Sequence, residues 1–187
     1  VTLGGNVETV RDDFELIKLE GERLGLKLNI SKCEVITRNN CNLDIANSFP
    51  GFQIIDIRDA QLLGSPILSD RGLDVALDDK CNKLQNMLSR LKHLSAHHSL
   101  VIIRHCISVP TVMHILRTNN CHDNDRLIMF DNIVRRGLEA ILNVELSTLQ
   151  WTQACLPIRD GGLGVRTTVS LATSAFMASA VSTRGLQ

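Results

Sequence analysis

The 187-residue chain lacks several features that would announce a function. It carries no net charge, since twenty Lys and Arg balance twenty Asp and Glu. Overall charge therefore directs it neither to nucleic acid nor to membrane, and any basic surface must be local. Aromatic residues make up 3% and form no cluster along the sequence. Six cysteines are scattered, without a C-x-x-C pair, and no signal peptide opens the chain. That argues against a disulfide framework and for buried, reduced thiols in an intracellular protein, cytoplasmic or nuclear. Asn29-Ile30-Ser31 would be a glycosylation acceptor only in a secreted protein. The longest apolar stretch, Leu100 to Ile115, is broken by Arg104, His105 and Pro110, so no membrane span is expected. No repeat of fixed period occurs.

Motif absences narrow the field further. Gly4-Gly5 and Gly161-Gly162-Leu163-Gly164 lack both G-x-G-x-x-G spacing and a following G-K-S/T, which leaves them as backbone turns rather than phosphate loops. His93, His97, His98, His105 and Cys106 supply zinc-ligand types without zinc spacing, and His93 and His97 would share a face only if a helix ran past Ser95. No local Ser/His/Asp signature is present. A small cysteine- or zinc-dependent enzyme therefore ranks last. Asp12 and Asp13 fall inside a helical pattern, without the strand-turn setting of polymerase metal ligands.

What is present is an ordered set of elements. The opening VTLGGN reads as a short strand, Val1–Leu3, stopped by glycines and cut from a longer protein. Asn6 caps a helix whose face Val7, Val10, Phe14, Ile17, Gly21 and Leu24 is expected to be buried, with Gly25 as the stop. A turn over residues 29–32 carries Asn29 and Lys32 into a strand, Cys33–Thr37. TRNNCNLDIANSFPG reads as a loop, followed by strands Phe52–Ile57 and Gln61–Ile67 joined near Arg58-Asp59. Beyond Leu68 the character becomes helical. Ser69 or Asp70 caps a long helix with a narrow stripe of Leu73, Leu77, Cys81, Leu84, Leu88 and Leu91. Its other face carries Asn82, Lys83, Asn86, Arg90 and His93.

Leu100–Ser108 and a Pro110-initiated helix to Arg117 follow. A capped linker leads to a helix on Leu127, Phe130, Val134, Leu138 and Ile141, with Arg126, Arg135 and Arg136 off its stripe. A Gly-rich loop and a small-residue helix end the chain. The expected fold class is α+β. Residues 1–68 form a few short strands with one helix, 69–143 a helical region, and 144–187 the Gly-rich loop and last helix.

LGLKLNISKCEVI, AQLLGSPI and WTQACLPIRDGGLGVR, in this order around the helical region and after VTLGGN, resemble the reverse transcriptases of non-LTR (LINE-type) retrotransposons. The resemblance covers nearly the whole chain. It implies a partial polymerase palm with a primer-grip-like hairpin at Leu63 and Gly64, followed by a helical thumb. It also implies that Lys32 is an accessory catalytic group on the pyrophosphate side, neutralising developing charge or donating a proton, with Asn29 supporting its turn.

The family's metal-binding aspartates would precede Val1, as would the remaining palm and fingers of the parent polyprotein. The chain as given is thus expected to bind no cofactor and to be catalytically incomplete. The complete parent would be an RNA-directed DNA polymerase using Mg²⁺. The implied partner is an RNA/DNA template–primer duplex, held weakly and without sequence specificity by Lys80, Lys83, Arg90 and Lys92. A decayed or co-opted non-enzymatic helical interaction module is the alternative. For the cationic face, the competing reading is solvation with Asp78 and Asp79 offsetting the charge.

Overall fold

A computed structural model describes residues 1–37, 42–68 and 71–186. The chain is mostly helical with few short strands, and it divides into two compact units, Val1–Ala60 and Gln61–Gln187.

In the first unit, helix α1 (Val7–Arg23) begins where Asn6 accepts a hydrogen bond from the Thr9 amide at 2.8 Å, satisfying one of the free N–H groups of the first turn. Strands β1 (Glu34–Thr37) and β2 (Gln53–Asp56) pair in parallel, Glu34 opposite Gln53 and Thr37 opposite Asp56. Between them, within the stretch expected as a loop, lies helix α2 (Asn42–Ser48). Its ordering follows from tertiary burial rather than from propensity: Ile45 and Phe49, four residues apart, are both buried. Phe49 meets Phe52 with ring centroids 5.6 Å apart, and Phe14 of α1 meets Phe52 edge-on at 5.2 Å. Three of the six aromatics, Phe14, Phe49 and Phe52, thus meet in space.

Two further expectations are corrected in this unit. Val1–Leu3 is not a strand, because no described segment offers it a ladder of hydrogen bonds. The stripe on α1 is not a buried face either: no residue of α1 is buried, and its centre is only half-covered at Val10, Phe14 and Gly21.

The second unit opens with a hairpin, β3 (Gln61–Leu62) and β4 (Ser65–Pro66), antiparallel with Leu62 opposite Ser65. The stretch expected as a single strand folds back on itself, and β2 pairs with β1 instead. The hairpin is anchored at its base. Buried Asn119 donates to Ser65 Oγ at 2.7 Å, and Ser65 Oγ lies 2.6 Å from Thr118 Oγ1. It therefore belongs with the helices, although the sequence grouped it with residues 1–68.

Helix α3 (Arg71–Leu91) buries all six residues of its expected stripe; the capping positions 69 and 70 lie outside the described residues. α4 (Ala96–Ile102) starts at Ser95, whose backbone takes up the interval in which α3 would have had to continue to align His93 with His97. Ser99 Oγ, fully buried, donates to Leu91 O at 3.0 Å and pins α4 to the end of α3. A π-turn over Ile103–Ile107 then leads into α5 (Val109–Thr118), with Pro110 in its first turn. The run Ala96–Thr118 has the length and composition of a membrane span. Its apolar side, Ile103, Ile107, Val112, Ile115 and Leu116, is instead part of the helical core.

α6 (Asp125–Leu142) contributes Leu127, Phe130, Val134 and Leu138 to that core, with Ile141 half-buried. α7 (Thr148–Cys155) opens on a capping box between Ser147 and Gln150. The Gly-rich loop turns back onto α7, Leu163 N donating to Ala154 O at 3.1 Å. α8 (Thr168–Thr183) packs along α5 and α6, so the segment 144–187 shares the core of the preceding helices.

Two contacts fix the bundle. At Gly137 an added Cβ would fall 2.6 Å from Leu88 Cδ1, so Leu88 of α3 seats directly on the α6 backbone and an added methyl group would force that side chain to move. At the other end of α6's core face, Asp131 Oδ1 accepts from Thr168 N at 2.8 Å and Thr168 Oγ1 at 2.9 Å, and Oδ2 accepts from Val169 N at 3.2 Å. The carboxylate of α6 thereby caps α8, whose own N-cap, Thr167, makes no capping bond. Burial pushes the Asp131 carboxyl above its ordinary range, against these hydrogen bonds, which pull it down.

Gly137→Ala is expected to destabilise the protein by about 1–2 kcal/mol in urea unfolding, the displacement of Leu88 outweighing the gain in helix propensity. Asp131→Asn leaves an α8 amide without its acceptor and should cost about 1–3 kcal/mol. Because the folded-state pKa of Asp131 is raised, the native protein binds more protons than the unfolded chain between the ordinary and raised values. The advantage of the wild type over Asp131→Asn should therefore be greatest in acid and shrink as pH rises through that window. Paired urea titrations from acid to neutral pH measure it.

Candidate nucleic-acid interface

At about 100° per residue, the buried stripe of α3 leaves Lys80, Lys83 and Arg90 together along one flank, away from the side that meets α6. Lys83 and Arg90 are exposed and Lys80 is half-buried. Lys92 lies one residue past the end of the helix, exposed, and does not continue that row. The flank is partly neutralised: Lys83 Nζ pairs with Asp79 at 2.7 Å. Such exposed i,i+4 pairs contribute only a few tenths of a kcal/mol, so phosphate can compete for the ammonium.

Asp78 is not part of that compensation. It and Asp74 face α6, where Arg126 Nε meets Asp78 Oδ1 at 2.9 Å and Arg126 Nη1 meets Asp74 Oδ1 at 3.0 Å. Asn124, the N-cap of α6, donates to the same Asp74 oxygen at 3.1 Å. The hydrogen bond from Arg126 to Asp78 raises the Arg126 pKa; burial works against it, and the charges of Asp74, Asp78 and Asp125 add to the rise. Sequence placed Arg126 merely off the apolar stripe; the structure makes it the polar clasp that orients α3 on α6. Arg135 likewise turns inward, to Glu139 at 3.2 Å and to the Leu146 carbonyl, whereas Arg136 remains exposed.

The hairpin tip is formed by Leu63 (φ 52°) and Gly64 (φ 78°), two successive positive φ values of the kind that suits a tight two-residue hairpin. A leucine in this conformation is uncommon, and Leu63 is 87% exposed at the tip. In the first unit, residues 30–32 form a single 3₁₀ turn. The Asn29 carbonyl accepts from Lys32 N at 3.1 Å, and Asn29 Oδ1 accepts from Ser31 Oγ at 2.7 Å. Gln53 of β2 donates to Ser31 O at 3.0 Å, which fastens the turn to the sheet. Lys32 is exposed. Asn29 and Lys32 thus belong to one unit, and Leu63, Gly64 and the cationic flank to the other.

The division also resolves the balanced charge. Seven basic and ten acidic residues lie in Val1–Ala60, and thirteen basic and ten acidic in the remainder, giving −3 and +3. The division at residue 68 read from the sequence gives the same asymmetry, because residues 61–68 carry no charge.

Among the described residues no group of three or more His, Cys, Asp or Glu is placed to hold a metal ion. Asp12 and Asp13 are exposed on α1. His97 and His98 sit edge-to-face at 6.2 Å on α4, with His98 Nδ1 2.6 Å from Ser95 Oγ. A shallow depression of about 320 Å³ at the end of α6, lined by Glu139, Ala140, Asn143, Val144 and Glu145, is wide open to solvent.

No family model, no curated protein and no solved structure matches the chain.

The thiols fall into distinct environments. Burial pushes Cys81, Cys121 and Cys155 up to about 11, and Cys81 and Cys121 are fully enclosed. Cys106 is exposed on the π-turn. With a maleimide at neutral pH, Cys106 should react in the native protein while Cys81 and Cys121 stay protected until denaturant is added. Peptide mapping by mass spectrometry reads the order; early modification of Cys81 or Cys121 would contradict the core described above.

Proposed function

We propose that the chain is the C-terminal palm and thumb portion of a non-LTR reverse transcriptase, able to hold a template–primer duplex weakly but not to polymerise on its own. The observation that carries this reading is α3. All six residues of its stripe are buried while Lys80, Lys83 and Arg90 stay together on the outward flank, directly after a hairpin whose tip is Leu63-Gly64. A helix so held offers cations on a rigid support, which suits sequence-independent contact with a duplex backbone. Lys92 and the exposed Arg136 extend the available positive charge beyond that row.

In this reading Lys32 keeps the accessory position beside the pyrophosphate of the complete enzyme. Asn29 supports it through the two hydrogen bonds that close its turn. The described residues do not fit the parent's two magnesium ions, as no carboxylate group is assembled for them. No catalytic step is therefore assigned to this chain. A non-enzymatic helical interaction module is the second reading, favoured by the Lys83–Asp79 pair, which takes one cation out of the row.

Fluorescence anisotropy with a labelled RNA–DNA duplex tests the proposal. Binding should lie in the range of about 10⁻⁴–10⁻⁶ M and weaken steeply with salt. Lys83→Ala combined with Arg90→Ala should lower the salt slope by roughly 1.5–2. An unchanged affinity in the double variant would favour the interaction module. Primer extension should be absent with any divalent metal, and measurable templated extension would overturn the assignment of inactivity.

A further inference from the structure

Two helices, one in each unit, carry large apolar residues that are exposed among the described residues, and their charges are opposite. α1 carries six acidic and three basic residues. Each of its cations is already paired within the helix: Arg11 with Asp12, Lys18 with Glu15, Arg23 with Glu20. Glu8, Asp13 and Glu22 have no cationic partner among the described residues. The C-terminal half of the α1 stripe, Ile17 and Leu24, is exposed, and Leu26 just beyond it is exposed as well, Leu24 reaching 79%. Gly21 lies between Ile17 and Leu24 on this stripe, and Leu26, bonded back to it through Leu26 N and Gly21 O at 2.9 Å, extends the exposed apolar surface there.

α8 is the complement. Between Thr168 and Thr183 it contains no charged residue, and Arg166 and Arg184 flank it, both exposed. Its core side is occupied by Thr168 and Ala172. The other side presents Val169, Thr173, Met177 and Val181, spaced by four and therefore aligned along one row. All four are exposed, Met177 by 54% and Val181 by 68%. Small residues between them, Ala178 and Ala180, keep this face shallow.

We propose that the chain self-associates, the free face of α8 in one copy docking on the acidic, apolar face of α1 in a second copy. An apolar row bounded by two arginines meets an apolar row bounded by unpaired carboxylates, so burial supplies the attraction and charge selects the pairing. A second copy is the occupant, because each face supplies the charge that the other lacks: unpaired carboxylates on α1, Arg166 and Arg184 at the ends of α8. The contact is heterologous, so it passes from copy to copy unless the rotation relating successive copies closes it.

Sedimentation equilibrium of the full chain, without nucleic acid, tests this independently of the polymerase reading. The wild type should show concentration-dependent association that weakens as salt is raised. Asp13→Lys with Glu22→Lys makes α1 basic, and Arg166→Glu with Arg184→Glu makes α8 acidic. Each double variant should associate roughly tenfold more weakly than the wild type. Mixed in equal amounts, the two should recover association, since each α1 then faces an α8 of opposite charge. Circular dichroism checks that these exposed substitutions leave the fold intact. A monomer at all concentrations, or association that survives both charge reversals, would overturn the proposal. So would two weakened variants that fail to recover on mixing.

Discussion

The seam between α3 and α6 sets the arrangement of the helical unit. Its two ends are held by different physics. At one end Arg126 is shared by Asp74 and Asp78, and Asn124 both starts α6 and bonds Asp74. At the other, Gly137 lets Leu88 seat directly against the α6 backbone. The polar clasp gives direction and the close approach gives depth, since a buried or half-buried charge pair contributes specificity of geometry more readily than net stability. With both ends held, α3 cannot roll about its axis. That restraint decides that the stripe from Leu73 to Leu91 faces inward and that Lys83 and Arg90 face solvent, with Lys80 half-buried at the margin of their flank.

The last helix depends on that seam at one remove. α8 is too uniformly apolar to choose its own buried side by amphipathicity, and its N-cap residue supplies no capping bond. Its position is instead specified by Asp131 on α6, which takes the amides of Thr168 and Val169 and the Thr168 hydroxyl; that hydroxyl also lies 3.2 Å from Leu127 O. The docking of α8 is thus a polar decision made inside an otherwise apolar core. It leaves the row from Val169 to Val181 facing outward.

How much of this could be read from the sequence differs between the two units for a physical reason. In the helical unit the 3.6-residue period writes the buried face directly into the chain, so the stripes of α3 and α6 are legible almost residue by residue. In the first unit burial is produced by contacts between distant residues, Phe14 with Phe49 and Phe52. Nothing local in TRNNCNLDIANSFPG announces a helix, and nothing local in Gln61–Ile67 announces a fold-back except Leu63-Gly64. The turn at Asn29 and Lys32 was legible because its hydrogen bonds are local. The roles of Arg126 and Asp131 were not, since each depends on a partner 37 or more residues away.

The π-turn at Ile103–Ile107 has a geometric consequence for the run from Ala96 to Thr118. An uninterrupted α-helix of that length would keep its apolar side in one phase and behave as a straight apolar rod. Widening one turn inserts the equivalent of an extra residue and advances the phase by about 100°. The core face of α5, with Val112, Ile115 and Leu116, is thereby re-indexed relative to Ser99 in α4, and both halves reach the same interior. Removing a single residue from the widened turn would swing one half of the run out of register. The irregularity is what makes this segment a folded pair of core helices.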